Sequence, residues 1–191
     1  MSEKKKFDAI VIGAGPGGYP CAIRLAQLGK KVAIIEKENV GGVCLNVGCI
    51  PSKAMIKAAG MFEKMQKSDG MGFNVKGVDV DFKGLQEWKR SVVSKLTGGV
   101  GQLLKGNKVE IFRGEAAFVS RNELVVKSSE GQQALAADHI VIAVGSSPIE
   151  VPGFKFDEKK IVSSTGALEF DRPVESMVVV GGGYIGLEIG T

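Results

Sequence analysis

Two apolar runs, Phe7 to Val11 and Met177 to Val180, each lead into a glycine cluster of the same spacing, G-x-G-x-x-G. In the first, Gly13-Ala14-Gly15-Pro16-Gly17-Gly18 precedes an apolar pattern at Ile23, Leu25, Ala26 and Leu28 that stops at Gly29. That pattern is helical, and Val32 to Ile35 then forms another unbroken run, closed by Glu36. Runs without polar alternation belong to strands buried on both faces, so the stretch reads as a βαβ unit of a parallel sheet. At such a turn Gly13 permits the tight bend, Gly15 lets a pyrophosphate approach the backbone, and Gly18 lets helix and strand pack. Glu36, eighteen residues after Gly18, can accept from a ribose 2′-hydroxyl and would repel a 2′-phosphate. A tight turn alone does not call for strand, helix, strand and acid in register, so dinucleotide binding is expected.

The second cluster, Gly181-Gly182-Gly183-Tyr184-Ile185-Gly186, repeats the fingerprint at Gly181, Gly183 and Gly186, and two fingerprints imply two dinucleotides. A third glycine rather than alanine favours NAD over NADP there. Only five residues follow Gly186, so the chain reads as the front part of a longer protein, stopping inside a second βαβ unit.

Between the fingerprints, Met55, Ala58, Phe62 and Met65 space an amphipathic helix over 52–67, its stripe read as core packing. A break from Ser68 to Gly77 precedes a helix spaced by Leu85, Trp88, Val92 and Leu96 that is expected to fray through Gly98, Gly99 and Gly101. Val109 to Phe112, Ala116 to Val119, Glu123 to Lys127 and a segment near Gln133 suggest an antiparallel meander inserted into the parallel fold. His139 to Val144 returns to the buried parallel type, and Pro152 to Lys160 resembles a linker. The expected class is α/β, a Rossmann-like domain with a parallel sheet and an inserted meander, then the start of a second such domain.

Composition excludes several roles. The 191 residues carry 25 Lys and Arg against 21 Asp and Glu, a net +4, with Lys4, Lys5 and Lys6 the one tight basic run; a nucleic-acid binder needs a striped basic surface. The basic start followed by apolar residues superficially suggests a secretion signal. Its apolar stretch is short, contains Asp8 and runs into a glycine turn, which fits a first strand better. No window approaches the roughly twenty apolar residues of a membrane span. Three cysteines do not make a secreted framework in a chain of this size, so cytosol or an organelle matrix is the expected compartment.

Two of those cysteines, Cys44 and Cys49, lie in Gly41-Gly42-Val43-Cys44-Leu45-Asn46-Val47-Gly48-Cys49-Ile50-Pro51-Ser52-Lys53, on a loop at the entrance to a helix. Their spacing allows a small disulfide ring, and the N-terminus of a helix favours the thiolate that thiol exchange requires. A redox pair is one reading; buried inert thiols, a zinc site and a static disulfide are the others. The glycine-rich setting is poor for core packing, Cys21 and the single His139 offer no ligand spacing for zinc, and a reducing compartment disfavours a static bridge. Cys21, beside Ala22 and Ile23, reads as a small buried hydrophobe. Nothing places His139 near the cysteines, so it is not read as an acid or base.

The segment from Gly42 to Lys53 resembles the redox-active motif of the flavin disulfide reductases, and within them the dihydrolipoamide-oxidising branch. Glutathione and mercuric reductases usually carry valine where Leu45 and Ile50 stand. The resemblance extends from Phe7 to Thr191 and implies FAD at the first fingerprint and NAD at the second. It implies that Cys44 is the interchange thiol meeting the dithiol substrate and that Cys49 faces the flavin, giving a thiolate-to-flavin charge-transfer contact on reduction. Lys53 matches a lysine near flavin N5, and Glu188 matches the glutamate paired with it; a cation there stabilises charge gained by the ring. Further flavin-binding positions implied are Glu36, Lys37, Gly42, Val43, the region of Gly114 and Ala117, and the turn Ala143-Val144-Gly145-Ser146. That turn usually reads Ala-Thr-Gly, so Val144 removes a hydroxyl. Tyr184 resembles the tyrosine that covers the flavin in glutathione reductase.

By the same resemblance residues 1–148 are the first part of the FAD-binding domain and 149–191 the start of the NAD-binding domain. The implied partner is dihydrolipoamide on a lipoyl-bearing protein of a 2-oxoacid dehydrogenase or glycine cleavage complex, and the full-length form is a homodimer. The family's catalytic base, a histidine paired with a glutamate in a C-terminal dimerisation domain, has no counterpart here. The chain alone is therefore not expected to turn over.

Overall fold

The computed structural model describes residues 4–67 and 72–191. Part of the expected break from Ser68 to Gly77 lies outside the described residues. Two compact units result, one formed up to Asn46 and by Lys95–Ser146, the other by the described parts of Val47–Ser94 and by Ser147–Thr191.

The first unit carries a six-stranded sheet in the order β3-β2-β1-β6-β5-β4. Its strands are β1 (Lys5–Ile12), β2 (Val32–Glu36), β3 (Glu110–Arg113), β4 (Glu115–Ser120), β5 (Glu123–Ser128) and β6 (Gly131–Ile142). β1 pairs in parallel with β2, Ala9 opposite Val32, and with β6, Lys5 opposite Leu135. Helix α1 (Tyr19–Gln27) packs against β1 and β2, which completes the expected βαβ unit. β2 is buried at all five positions, as its unbroken apolar run requires.

The meander differs in two respects from expectation. β3 pairs in parallel with β2, so it belongs to the parallel sheet and only β4, β5 and β6 form the meander. The segment near Gln133 and the run from His139 are one twelve-residue strand that ends at Ile142, short of Val144. Asp138 and His139 break the apolar pattern, but both are exposed, and β1 is long enough to pair with β6 from Leu135 through Ile142. Phe7, Ile10, Ala33 and Ile35 share one cluster with Leu124, Val126, Leu135 and Ala137, so parallel and antiparallel parts bury a common core. Phe7 and Phe112 meet edge to face at 5.8 Å within it. Each large aliphatic buried there contributes about 1.5–3 kcal/mol.

The cysteines lie on helices, not a loop. Cys44 is inside the short α2 (Gly42–Val47), and Cys49 is the first residue of α3 (Cys49–Gln66). Asn46 Nδ2 donates to the carbonyls of Val40 (3.1 Å) and Gly42 (2.9 Å), which closes the turn leading into α2. Cys21 on α1 is half-buried rather than buried. Helix α4 (Phe82–Gly106) does not fray at its glycines. Val100 and Leu104 are buried beside them, and that burial outweighs the glycines' poor helix propensity.

In the second unit the stripe of Met55, Ala58, Phe62 and Met65 on α3 is half-buried and lines a cavity of about 600 Å³ with Leu85 and Met177. Lys89 on α4 is buried at 1% exposure; its Nζ donates to the Leu168 carbonyl and to Glu169 Oε1, both at 2.5 Å. Gln86 Nε2, one turn earlier, donates to the carbonyls of Leu168 and Phe170. The pair fixes the chain just after α5 (Ser164–Ala167). The stretch 152–160 contains a turn closed by a Val151–Phe154 bridge and, from Asp157, a carboxylate that takes the amides of Lys159, Lys160 and Ile161. Met177 to Val180 is not a strand. No strand pairs with it among the described residues, and an apolar run without a ladder has no reason to stay in strand geometry. The chain closes with α6 (Tyr184–Gly190). Among the described residues no helix is long and apolar enough to cross a membrane.

Candidate functional site

In the first unit the glycine loop, the end of β2 and the entrance to α2 are joined backbone to backbone. Gly13 has φ +99°, and a Cβ there would stand 2.2 Å from the carbonyl oxygen of Ala143. Gly18 is held as tightly, since a Cβ would lie 1.8 Å from the Gly13 carbonyl oxygen. Gly42, at φ +59°, faces Gly15 so closely that a Cβ would sit 2.6 Å from the Gly15 Cα. Ala14 ties the set together: its N–H donates to Glu36 Oε2 at 2.7 Å, and its carbonyl accepts from Gly41 N–H at 2.8 Å. Glu36 Oε1 accepts from Glu38 N–H at 2.8 Å. Its carboxylate is thus buried, fixed by two amides, and keeps acceptor capacity on each oxygen. Gly114 joins through its N–H, which donates to the Glu36 carbonyl at 3.0 Å.

Gly13, Gly15, Gly18, Glu36, Gly41, Gly42, Gly114 and Ala143 are therefore brought together, and Gly17 is adjacent, with 3.9 Å from a Cβ there to the Ala143 Cβ. No side chain caps the N-terminus of α1, which leaves that end open to an anion. Backbone free of side chains admits a diphosphate, and a carboxylate at the end of the second strand can accept from a ribose hydroxyl. Lys37, Val43, Val144, Gly145 and Ser146 are exposed and Ala117 is half-buried within β4; of these, Val144 reaches the cradle through its backbone, its Cα 3.3 Å from where a Cβ on Gly13 would stand. His139 is exposed on β6.

In the second unit the second fingerprint repeats the backbone logic. Gly181 has φ +113°, and a Cβ on Gly186 would stand 2.3 Å from the Gly181 carbonyl oxygen. Gly183 caps α6 in extended conformation, and Tyr184 and Ile185 in its first turn are exposed. Glu188 on the same helix accepts at Oε1 from Lys53 Nζ (3.2 Å) and from Ser52 Oγ (3.0 Å). These two hydrogen bonds, Lys53 first, hold the Glu188 carboxyl below its ordinary range. The expected Lys53–Glu188 pair is thus formed. Ser52 escaped the sequence reading as a functional residue, although its place beside Lys53 at the start of α3 was a usable signal. Among the described residues no disulfide is formed, and Cys49 is exposed.

Comparison with known proteins agrees with this geometry. The family model described as pyridine nucleotide-disulphide oxidoreductase matches residues 7–191. The chain is 56% identical over 184 residues to the dihydrolipoyl dehydrogenase of Geobacillus stearothermophilus and 55% to that of Bacillus subtilis, in each case over 96% of this chain. Against the dihydrolipoyl dehydrogenase of Trypanosoma brucei brucei the identity is 47% over 97% of this chain. The chain spans about two fifths of the length of these relatives, 39% to 40%. Among solved structures, the flavoprotein disulfide reductase RclA of Escherichia coli superposes with a TM-score of 0.76 at 28% identity, over 96% of this chain and 39% of that one. LpdA of Mycobacterium tuberculosis superposes at 0.78 with 20% identity, over 86% of this chain and 37% of that one, a likeness of fold. Fold, fingerprint and family match coincide over nearly the whole chain, which belongs to the pyridine nucleotide-disulphide oxidoreductases.

Proposed function

We propose that the chain is the dithiol-reacting, flavin-holding part of a dihydrolipoyl dehydrogenase. The observation that carries this reading is the Gly42–Lys53 segment, with both cysteines at adjoining helices, in a chain 56% identical to a dihydrolipoyl dehydrogenase. In the oxidised pair a Cys44–Cys49 disulfide accepts the substrate. One thiolate of dihydrolipoamide attacks Cys44 Sγ, the Cys44–Cys49 bond breaks, and Cys49 leaves as thiolate. The second substrate sulfur then displaces Cys44, so lipoamide departs as a disulfide and the pair holds the two electrons.

Gly13, Gly15, Gly18, Gly42 and Glu36 fit FAD, since they offer a side-chain-free cradle for its diphosphate and a buried carboxylate for its ribose. When bound, FAD supplies a two-electron relay from the dithiol to NAD. Gly181, Gly183 and Gly186 are assigned to NAD, residues 1–148 to the FAD-binding domain and 149–191 to the start of the NAD-binding domain. Lys53 offers a cation to the flavin, and Glu188 pairs with that cation. We further assign the whole enzyme to a homodimer in the cytoplasm or an organelle matrix, serving a lipoyl-bearing protein of a 2-oxoacid dehydrogenase or glycine cleavage complex.

The visible spectrum tests the reading. The chain purified with FAD should show flavin absorbance, and mild reduction should add a long-wavelength band that Cys49→Ser removes and Cys44→Ser retains. A colourless chain, or a band indifferent to Cys49, overturns it. For a full-length version, preference for glutathione over lipoamide would replace the substrate with another disulfide.

A further inference from the structure

We propose that Ser52 is the positioning residue of the Lys53–Glu188 pair: its Oγ–H, donated to Glu188 Oε1, anchors the carboxylate so that Lys53 meets a fixed partner. The proposal deepens the functional reading above and rests on it for the pair's service to a flavin.

Two donors converge on a single carboxylate oxygen, Ser52 Oγ at 3.0 Å and Lys53 Nζ at 3.2 Å. They differ in what they can hold. The Lys53 side chain is 65% exposed and carries four rotatable bonds, so its ion pair is screened by water and opposed by rotamer entropy. Ser52 is 7% exposed in the first turn of α3 and turns about a single side-chain bond. Its backbone is fixed as well, since Ser52 N–H donates to the Gly48 carbonyl at 3.0 Å. A short, buried hydroxyl on a hydrogen-bonded turn is a rigid donor; a long, exposed ammonium is not. The serine therefore sets where Glu188 Oε1 lies, and the lysine follows it.

Adjacent residues reaching the same oxygen also explain why the carboxylate must lie over the start of α3. Among the described residues Lys53 is the one charged side chain in an ion pair with Glu188, so the loss of Ser52 is not offset by another cation. With the hydroxyl gone, Glu188 keeps only the mobile partner, and both side chains sample more positions.

The test is a site-resolved titration of Glu188 by carbon NMR in the full chain, labelled at glutamate carboxyls. Ser52→Ala should move the Glu188 midpoint upward towards an ordinary carboxylate, while Ser52→Thr, which keeps the hydroxyl, should leave it low. If alanine does not yield folded protein by circular dichroism, Ser52→Cys, close in volume and a weak donor, should give the same upward move. A midpoint unchanged in the alanine or cysteine variant, or raised equally by threonine, overturns the proposal. This readout needs no flavin. If the chain remains colourless with FAD while Ser52→Ala still shifts Glu188, the positioning role stands and the functional reading falls.

Discussion

Gly18 shows how a single atom decides the cradle. The Gly13 carbonyl oxygen stands 1.8 Å from where its Cβ would be, and that oxygen is backbone, so nothing flexible can yield. Gly18→Ala should cost at least about 2 kcal/mol, read as a lowered urea midpoint, with loss of flavin uptake. Gly17→Ala, whose nearest neighbour is the Ala143 Cβ at 3.9 Å, should change stability by less than about 1 kcal/mol and is the control. Glu36 carries a different load. Truncation to alanine leaves the buried N–H of Ala14 without its acceptor, at about 1–3 kcal/mol, and leaves the part-buried N–H of Glu38 to water. Glu36→Gln retains one acceptor oxygen and should recover part of that loss in the same melt. These positions were legible in advance because spacing alone encodes them. Ser52 and Glu188 are 136 residues apart, so the place of Ser52 beside Lys53 marks the residue but not its partner, and the buried Lys89 looks like any lysine of a helix.

Whole elements were legible where one rule governs them and obscure where two compete. β1, α1 and β2 follow unbroken apolar runs and a glycine stop, and they fold as read. α4 sets glycine propensity against burial of Val100 and Leu104, and burial wins. A Cβ on Gly98, Gly99 or Gly101 would meet nothing within 4 Å, so the triple alanine variant should gain roughly 2 kcal/mol and melt about 5 °C higher, with α4 unchanged by circular dichroism. No gain would mean that the helix is not continuous there. α6 is the converse case. Seven residues cannot hold a helix unaided, and Glu188 is its tether to α3. Because the folded carboxyl is held below its ordinary value, the tether's contribution is complete above that ordinary value. It is lost as pH falls through the lowered one. Amide exchange at Ile185–Ile189 should therefore accelerate only on strong acidification, beyond the intrinsic pH effect. In Lys53→Met it should do so at a less acid pH, since the largest cause of the lowering is gone.

For the molecule as a whole, the apolar surface left uncovered in the second unit has the largest consequence. Val178 is 89% exposed, Val180 62%, Tyr184 78% and Leu187 58%. Met177 to Val180 was expected as a strand from its β-branched run, and among the described residues no strand pairs with it. An exposed, β-branched, uncharged segment outside any ladder is a template for pairing with another chain. A net charge of +4 over 191 residues offers modest repulsion against that. The isolated chain should therefore bind a hydrophobic dye and sediment as a concentration-dependent mixture. Val178→Lys with Val180→Lys places charge on that segment without touching the cradle or the cysteines, so it should reduce both signals and leave flavin uptake unchanged. A wild-type chain that sediments as a monomer at every concentration, or a double variant that associates as strongly, would show that these residues are covered within the chain itself.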